Sequence, residues 1–214
     1  MRFKFEILQR REWQAVAIGE ISLSQILTCV RLVLIIAMLG TLSACTMPAR
    51  SGHMVPESAL FPSHNHDSPL HNAIAISKVG GGEKSYPLLS SKMAKVDNNE
   101  LNEALRLSLS QYGFLSTSDV AAPFRLEVFL IELKQPYGGI TKIVTSVMRY
   151  KLTRSCDDQV VYDDIITTPY TATLEDAFDG AHRMRLANEG SIRANIAAFL
   201  RHLHSLKIMK SPVQ

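Results

Sequence analysis

The chain has few cysteines, a single tryptophan and little net charge. Its 214 residues include only Cys29, Cys45 and Cys156, and the one tryptophan is Trp13. So few cysteines exclude a disulfide-stapled miniprotein. Aromatic residues make up 7% and charged residues 20%, while 46% are hydrophobic. That balance excludes a wholly disordered or fibrous chain, and the length favours one domain with extensions. The formal charge of +3 divides into +2 over residues 1–44 and +1 over the rest. The body is therefore near neutral, and no nucleic-acid partner is expected. The apolar run Leu32–Leu39 has eight residues, far short of the roughly 20 that a spanning helix needs. GxSxG, HExxH and CxxC are absent throughout.

What is present begins with Arg31, the apolar run Leu32–Leu39, small residues, and then Leu42-Ser43-Ala44-Cys45. A positive charge, a short apolar core and small residues make a signal peptide. Leu42-Ser43-Ala44-Cys45 resembles the lipobox of bacterial lipoproteins. The resemblance implies a diacylglyceryl thioether on Cys45, cleavage between Ala44 and Cys45, and acylation (palmitate or similar) of the new amino terminus. Several acyl chains on one residue hold a protein to a bilayer durably, whereas one chain does not. Thr46 follows the cysteine where inner-membrane retention uses Asp, which implies the outer membrane with the body in the periplasm. A leader of 44 residues containing Glu6, Glu12 and Glu20 is unusual. Residues 1–29 are therefore expected to be an artefact of a start codon read too early, with Val30 as the true first residue.

Residues 46–72 hold four prolines and many small polar residues without helical or strand period. They are expected to form a flexible tether with a reach of roughly 30 Å. His53, His64, His66 and His71 fall here, but no zinc spacing joins them and no metal or cofactor is expected.

The body, residues 73–207, reads as one domain, with 208–214 as a tail. Ala73–Val79 is a first strand, and Asp97-Asn98-Asn99-Glu100 opens a helix that Gly113 ends. Phe124, Leu126, Val128 and Leu130 alternate on a second strand, Lys142–Arg154 is a third and Gln159–Thr171 a fourth. Ala181–Leu206 is a closing helix, with Met184, Asn188, Ser191, Ile192, Asn195, Ile196, Phe199 and Leu203 on one stripe. The order β-α-β-β-β-α predicts an α+β two-layer sandwich. Its four-stranded sheet is mostly antiparallel, with both helices on one face.

Candidate chemistry is thin. Gly80-Gly81-Gly82-Glu83-Lys84-Ser85 fails as a phosphate loop because Glu83 separates glycine from lysine. Asp163 and Asp164, adjacent on a strand, point to opposite faces, and Asp157 and Asp158 suit a turn. Cys156 has no local histidine to activate it. Asn188, Ser191 and Asn195 interrupt the apolar stripe, either as a pocket or partner surface or as buried, internally bonded groups. Arg183, Arg193 and Arg201 are expected on the opposite, solvated face. The architecture resembles small periplasmic lipoproteins, such as the transport-auxiliary lipoproteins of ABC-type lipid transport and the lipopolysaccharide-assembly lipoprotein. That resemblance implies a non-catalytic binding or assembly module of an envelope complex. A lipid-anchored envelope hydrolase and a periplasmic metal-handling protein are the alternatives.

Overall fold

Alternating burial decides the sheet. In β2 (Phe124–Lys134) Phe124, Leu126, Val128 and Leu130 are buried, and Arg125, Glu127 and Phe129 between them are exposed. In β3 (Lys142–Arg154) the buried set is Lys142, Val144, Ser146, Met148, Tyr150 and Leu152. These strands and β4 (Val160–Ala172) form two antiparallel pairs, β2 with β3 and β3 with β4. β1 (Ile74–Gly80) adds to β2 in parallel, giving the order β1-β2-β3-β4. β4 is an edge strand, and Pro169 interrupts its row of donors.

The structure, a computed structural model, describes residues 27–28, 30–32, 49–57, 68–82 and 96–206. The chain divides into two units, Met1–Ala44 and Cys45–Gln214. The described residues of the first are helical. Ala44 and Cys45 lie outside the described residues, as do Cys29, His64, His66 and residues 207–214.

In the second unit, α1 spans Asn98–Gln111 and α2 spans Gly180–Ser205. Each is started by an aspartate cap: Asp97 accepts the Asn99 amide and Asp179 the His182 amide. Gly113, at φ 64°, turns the chain out of α1. Both helices cover one face of the sheet. Leu101, Leu105 and Leu109 of α1 share a core with Ile192, Ile196, Phe199 and Leu203 of α2 and the inward residues of β2 and β3. Tyr150 and Phe199 stack at its centre, 4.1 Å between rings. The α+β sandwich is as the sequence predicts, with helix and strand limits shifted by a residue or so. The parallel β1–β2 pair follows from α1, because a helical crossover returns the chain in the same direction.

The tether expectation is corrected for residues 49–57 and 68–72, while residues 46–48 and 58–67 lie outside the described residues. Residues 49–57 lie on the helical layer rather than in solvent, with Ser51–Met54 forming one 3-10 turn that packs on both helices. Ala49 is 2% exposed, and Met54 and Leu70 are fully buried. Composition misled here: proline and serine remove any period, yet a segment without period still docks if its backbone donors find acceptors.

Candidate functional site

One carboxylate from each helix receives the segment at residues 50–51. Glu189 of α2 accepts the backbone N–H of Arg50 at 2.9 Å, and Glu100 of α1 accepts the N–H of Ser51 at 2.7 Å. Glu189 is 1% exposed. Its charge is faced by the Arg50 Nε at 3.5 Å, the Arg185 Nε at 3.8 Å and the His53 Nδ1 at 3.5 Å. Only its Oε1 accepts hydrogen bonds, from the Arg50 amide and Nε, while Oε2 has no hydrogen-bond donor, so the nearby arginines offset its desolvation mainly through charge. Further on, the Arg193 guanidinium donates to the His53 carbonyl. Gln111 donates to the Pro56 carbonyl, and the Tyr112 hydroxyl to that of Glu57. Residues 50–57 are thus held at both ends of α1 and at the middle of α2.

The polar residues of the α2 stripe are turned inward. Asn188, Ser191 and Asn195 are fully buried, so they do not form a surface for a partner. The Asn195 amide donates to the carbonyls of Ile166 and Ser146, and its oxygen accepts from the Tyr150 hydroxyl at 3.0 Å. Ser146 and Thr168 both hydrogen-bond the Ser191 carbonyl. Ser191 donates to the Asn188 carbonyl, and Asn188 accepts from Gln135. These groups knit α2 to β3 and β4, which is what burial demands of amides and hydroxyls.

The aspartates divide as the strand geometry requires. Asp163 makes a two-pronged pair with Arg149 at 2.7 Å on the outer face, which holds its carboxyl below the usual range. Asp164 lies on the helix side, 3.9 Å from His202. Asp157 pairs with Arg154, and Asp158 with Arg125. Cys156 is exposed in the β3–β4 turn. Among the described residues no three His, Cys, Asp or Glu gather closely enough to hold a metal ion. Arg183 departs from expectation: it is buried, and its guanidinium donates to the carbonyls of Ala177 at 2.7 Å and Phe178 at 2.6 Å. Its charge serves to fix the β4–α2 loop. Arg193 covers the Tyr170 ring at 5.6 Å, and Arg201 is exposed.

Glu189 and Glu100 were not legible as a pair. They lie 89 positions apart in the chain, and their partners Arg50 and Ser51 are 139 and 49 positions away.

No family model and no curated protein matches this chain. Some solved structures are similar over part of the chain. A Xanthomonas campestris protein of the family described as DUF330 is similar at TM-score 0.45 and 12% identity, covering 61% of this chain and 83% of that one. Protein CT253 of Chlamydia trachomatis is similar at TM-score 0.45 and 13% identity, over 62% and 98%. A minor lipoprotein of Acinetobacter baumannii is similar at TM-score 0.40 and 8% identity, over 63% and 94%.

Proposed function

We propose that the chain is a lipoprotein anchored in the outer membrane through Cys45, its body in the periplasm, serving as a non-catalytic binding or assembly module of an envelope complex. The observation that carries this reading is the sequence Leu42-Ser43-Ala44-Cys45 after a short apolar core. An accessory role is supported by where the polar groups go. The α2 amides, the aspartates and the buried glutamate are each engaged in holding elements together. The test is intact mass and membrane fractionation of the native protein beside Cys45→Ala. A chain that starts at Cys45, carries acyl mass and sediments with the outer membrane supports the anchor. A soluble chain that begins at Met1 overturns it. Crosslinking in intact cells, followed by capture, then tests the assembly role: recovery of no envelope protein counts against it.

A further inference from the structure

Ala49 is fixed on the domain, and only residues 46–48 separate it from Cys45. Four residue steps span at most about 14 Å. The direction of exit is also set. The docked segment runs from Arg50 and Ser51, beside Glu189 and the first turn of α1, to Glu57, beside Tyr112 at the end of α1. Followed backwards, the chain heads for the end of the sandwich where α1 begins. β1, β2 and β4 run in one direction and each helix follows a strand, so both helices start at that end. The β2–β3 loop, residues 135–141, and the β4–α2 loop, residues 173–179, lie there too.

These two loops carry large apolar side chains into solvent. Tyr137 is 95% and Phe178 93% exposed, with Ile140 and Leu174 also exposed. Exposed aromatic residues on two loops at one end of the sheet mark a contact surface. The aspartates of the β4–α2 loop are taken up locally. Asp176 accepts from the Thr173 amide and hydroxyl, and Asp179 caps α2. Arg183 grips the carbonyls of Ala177 and Phe178, which fixes the loop that bears Phe178.

We infer that this end of the domain lies on the bilayer, with Tyr137 and Phe178 seated in the lipid interface beside the anchor. The occupant is phospholipid, because the leash is too short to let an acylated Cys45 reach a bilayer far from the place where the chain leaves the domain. Aromatic and aliphatic side chains suit the headgroup boundary, where an apolar ring is buried while polar atoms stay wet. The exposed Glu175 favours zwitterionic over strongly anionic lipid. This inference rests on the lipoprotein reading above.

Cleavage before Cys45 removes Trp13, so a tryptophan placed in the mature chain is a single reporter. Phe178→Trp, Tyr137→Trp and Val120→Trp are made separately. Val120 is fully exposed between α1 and β2, at the opposite end. Each acylated protein is reconstituted into phosphatidylcholine–phosphatidylethanolamine vesicles with and without brominated acyl chains. The expected result is blue-shifted emission and at least twofold quenching at 178 and 137, with neither at 120. Proteins that are acylated and float with vesicles, yet show no quenching at 178 and 137, overturn the inference and leave the anchor standing. Equal quenching at all three positions overturns the orientation. A blue shift that grows with protein concentration and is indifferent to bromine assigns the surface to a second copy and overturns the lipid contact. A chain that is neither acylated nor recovered with vesicles overturns both readings, and intact mass identifies that case.

Discussion

Asn195 and Glu189 sit six positions apart on α2 and solve the same problem in different ways. Each is a buried polar group whose partners come from elsewhere in the chain. Asn195 has its amide and its oxygen engaged by β3 and β4. Asn195→Ala leaves the Tyr150 hydroxyl with only the weak Met148 sulfur as acceptor, takes a donor from the buried Ile166 and Ser146 carbonyls, and is expected to destabilise by about 2–4 kcal/mol. A urea titration followed by circular dichroism measures it, and a loss below 1 kcal/mol contradicts the network. Glu189→Ala removes the acceptor of the Arg50 amide and leaves Arg185 without its carboxylate. It is expected to free residues 50–57 before the domain itself unfolds, because those residues hang on few bonds. Trypsin cleavage after Arg50 should quicken at least tenfold while the far-ultraviolet spectrum stays native. Asn195 was half legible, since an amide in an apolar stripe has to be buried and bonded or be a lining. Glu189 was not, because its partners are so distant in sequence that no local pattern signals them.

Among the elements, β2, β3 and the helices were legible because burial follows one period over most of their length. β2 alternates from Phe124 to Leu130, where a bulge ends the pattern, and α2 keeps one buried face that includes polar residues. The docked segment was not, since it adds only a single turn and one fully buried methionine, Met54. Gly190 shows how tightly α2 and β4 approach: a Cβ there would run into the Tyr170 ring. Glycine in mid-helix ordinarily gives up about 1 kcal/mol to alanine. Here Gly190→Ala is expected to destabilise instead, by about 1–3 kcal/mol, through overpacking. Differential scanning calorimetry gives the sign, and a rise in Tm refutes the contact. The seam between β4 and α2 also predicts alkaline sensitivity. Burial, with Asp164 beside it, pushes the Tyr162 phenol up to about 12. Burial likewise drives Tyr150 well above its ordinary value, with Tyr162 adding to it. Both phenols keep their protons more firmly folded than unfolded. Their contribution is therefore complete below the unfolded tyrosine value of about 10 and is lost as pH rises through that of the folded state. Unfolding free energy should hold up to about pH 9 and fall steadily between 10 and 12. Tyr162→Phe should make that fall shallower; an unchanged slope removes Tyr162 from the account.

For the molecule as a whole, the short link between Cys45 and Ala49 matters more than any one bond. A ten-residue glycine–serine insert between Pro48 and Ala49 replaces a leash of about 14 Å at most with a coil whose root-mean-square reach alone is about 20 Å. The insert leaves every bond of the domain in place, so stability should not change. Quenching of Phe178→Trp by brominated lipid should fall by half or more, because the loops then meet the bilayer only part of the time. Unaltered quenching means that the loops hold to lipid without help from the leash.

Confinement to a surface has a further consequence, and it falls on β4. Proteins held in a plane meet one another often and in similar orientations, conditions under which a free sheet edge recruits neighbours strand by strand. β4 is 13 residues long and has a neighbour on one side only. Pro169 deprives that edge of a donor, and Asp163 and Asp164 set charge along it. These are the devices by which sheet edges resist addition. On the anchored reading proposed above, they would keep this domain from adding copies of itself strand by strand.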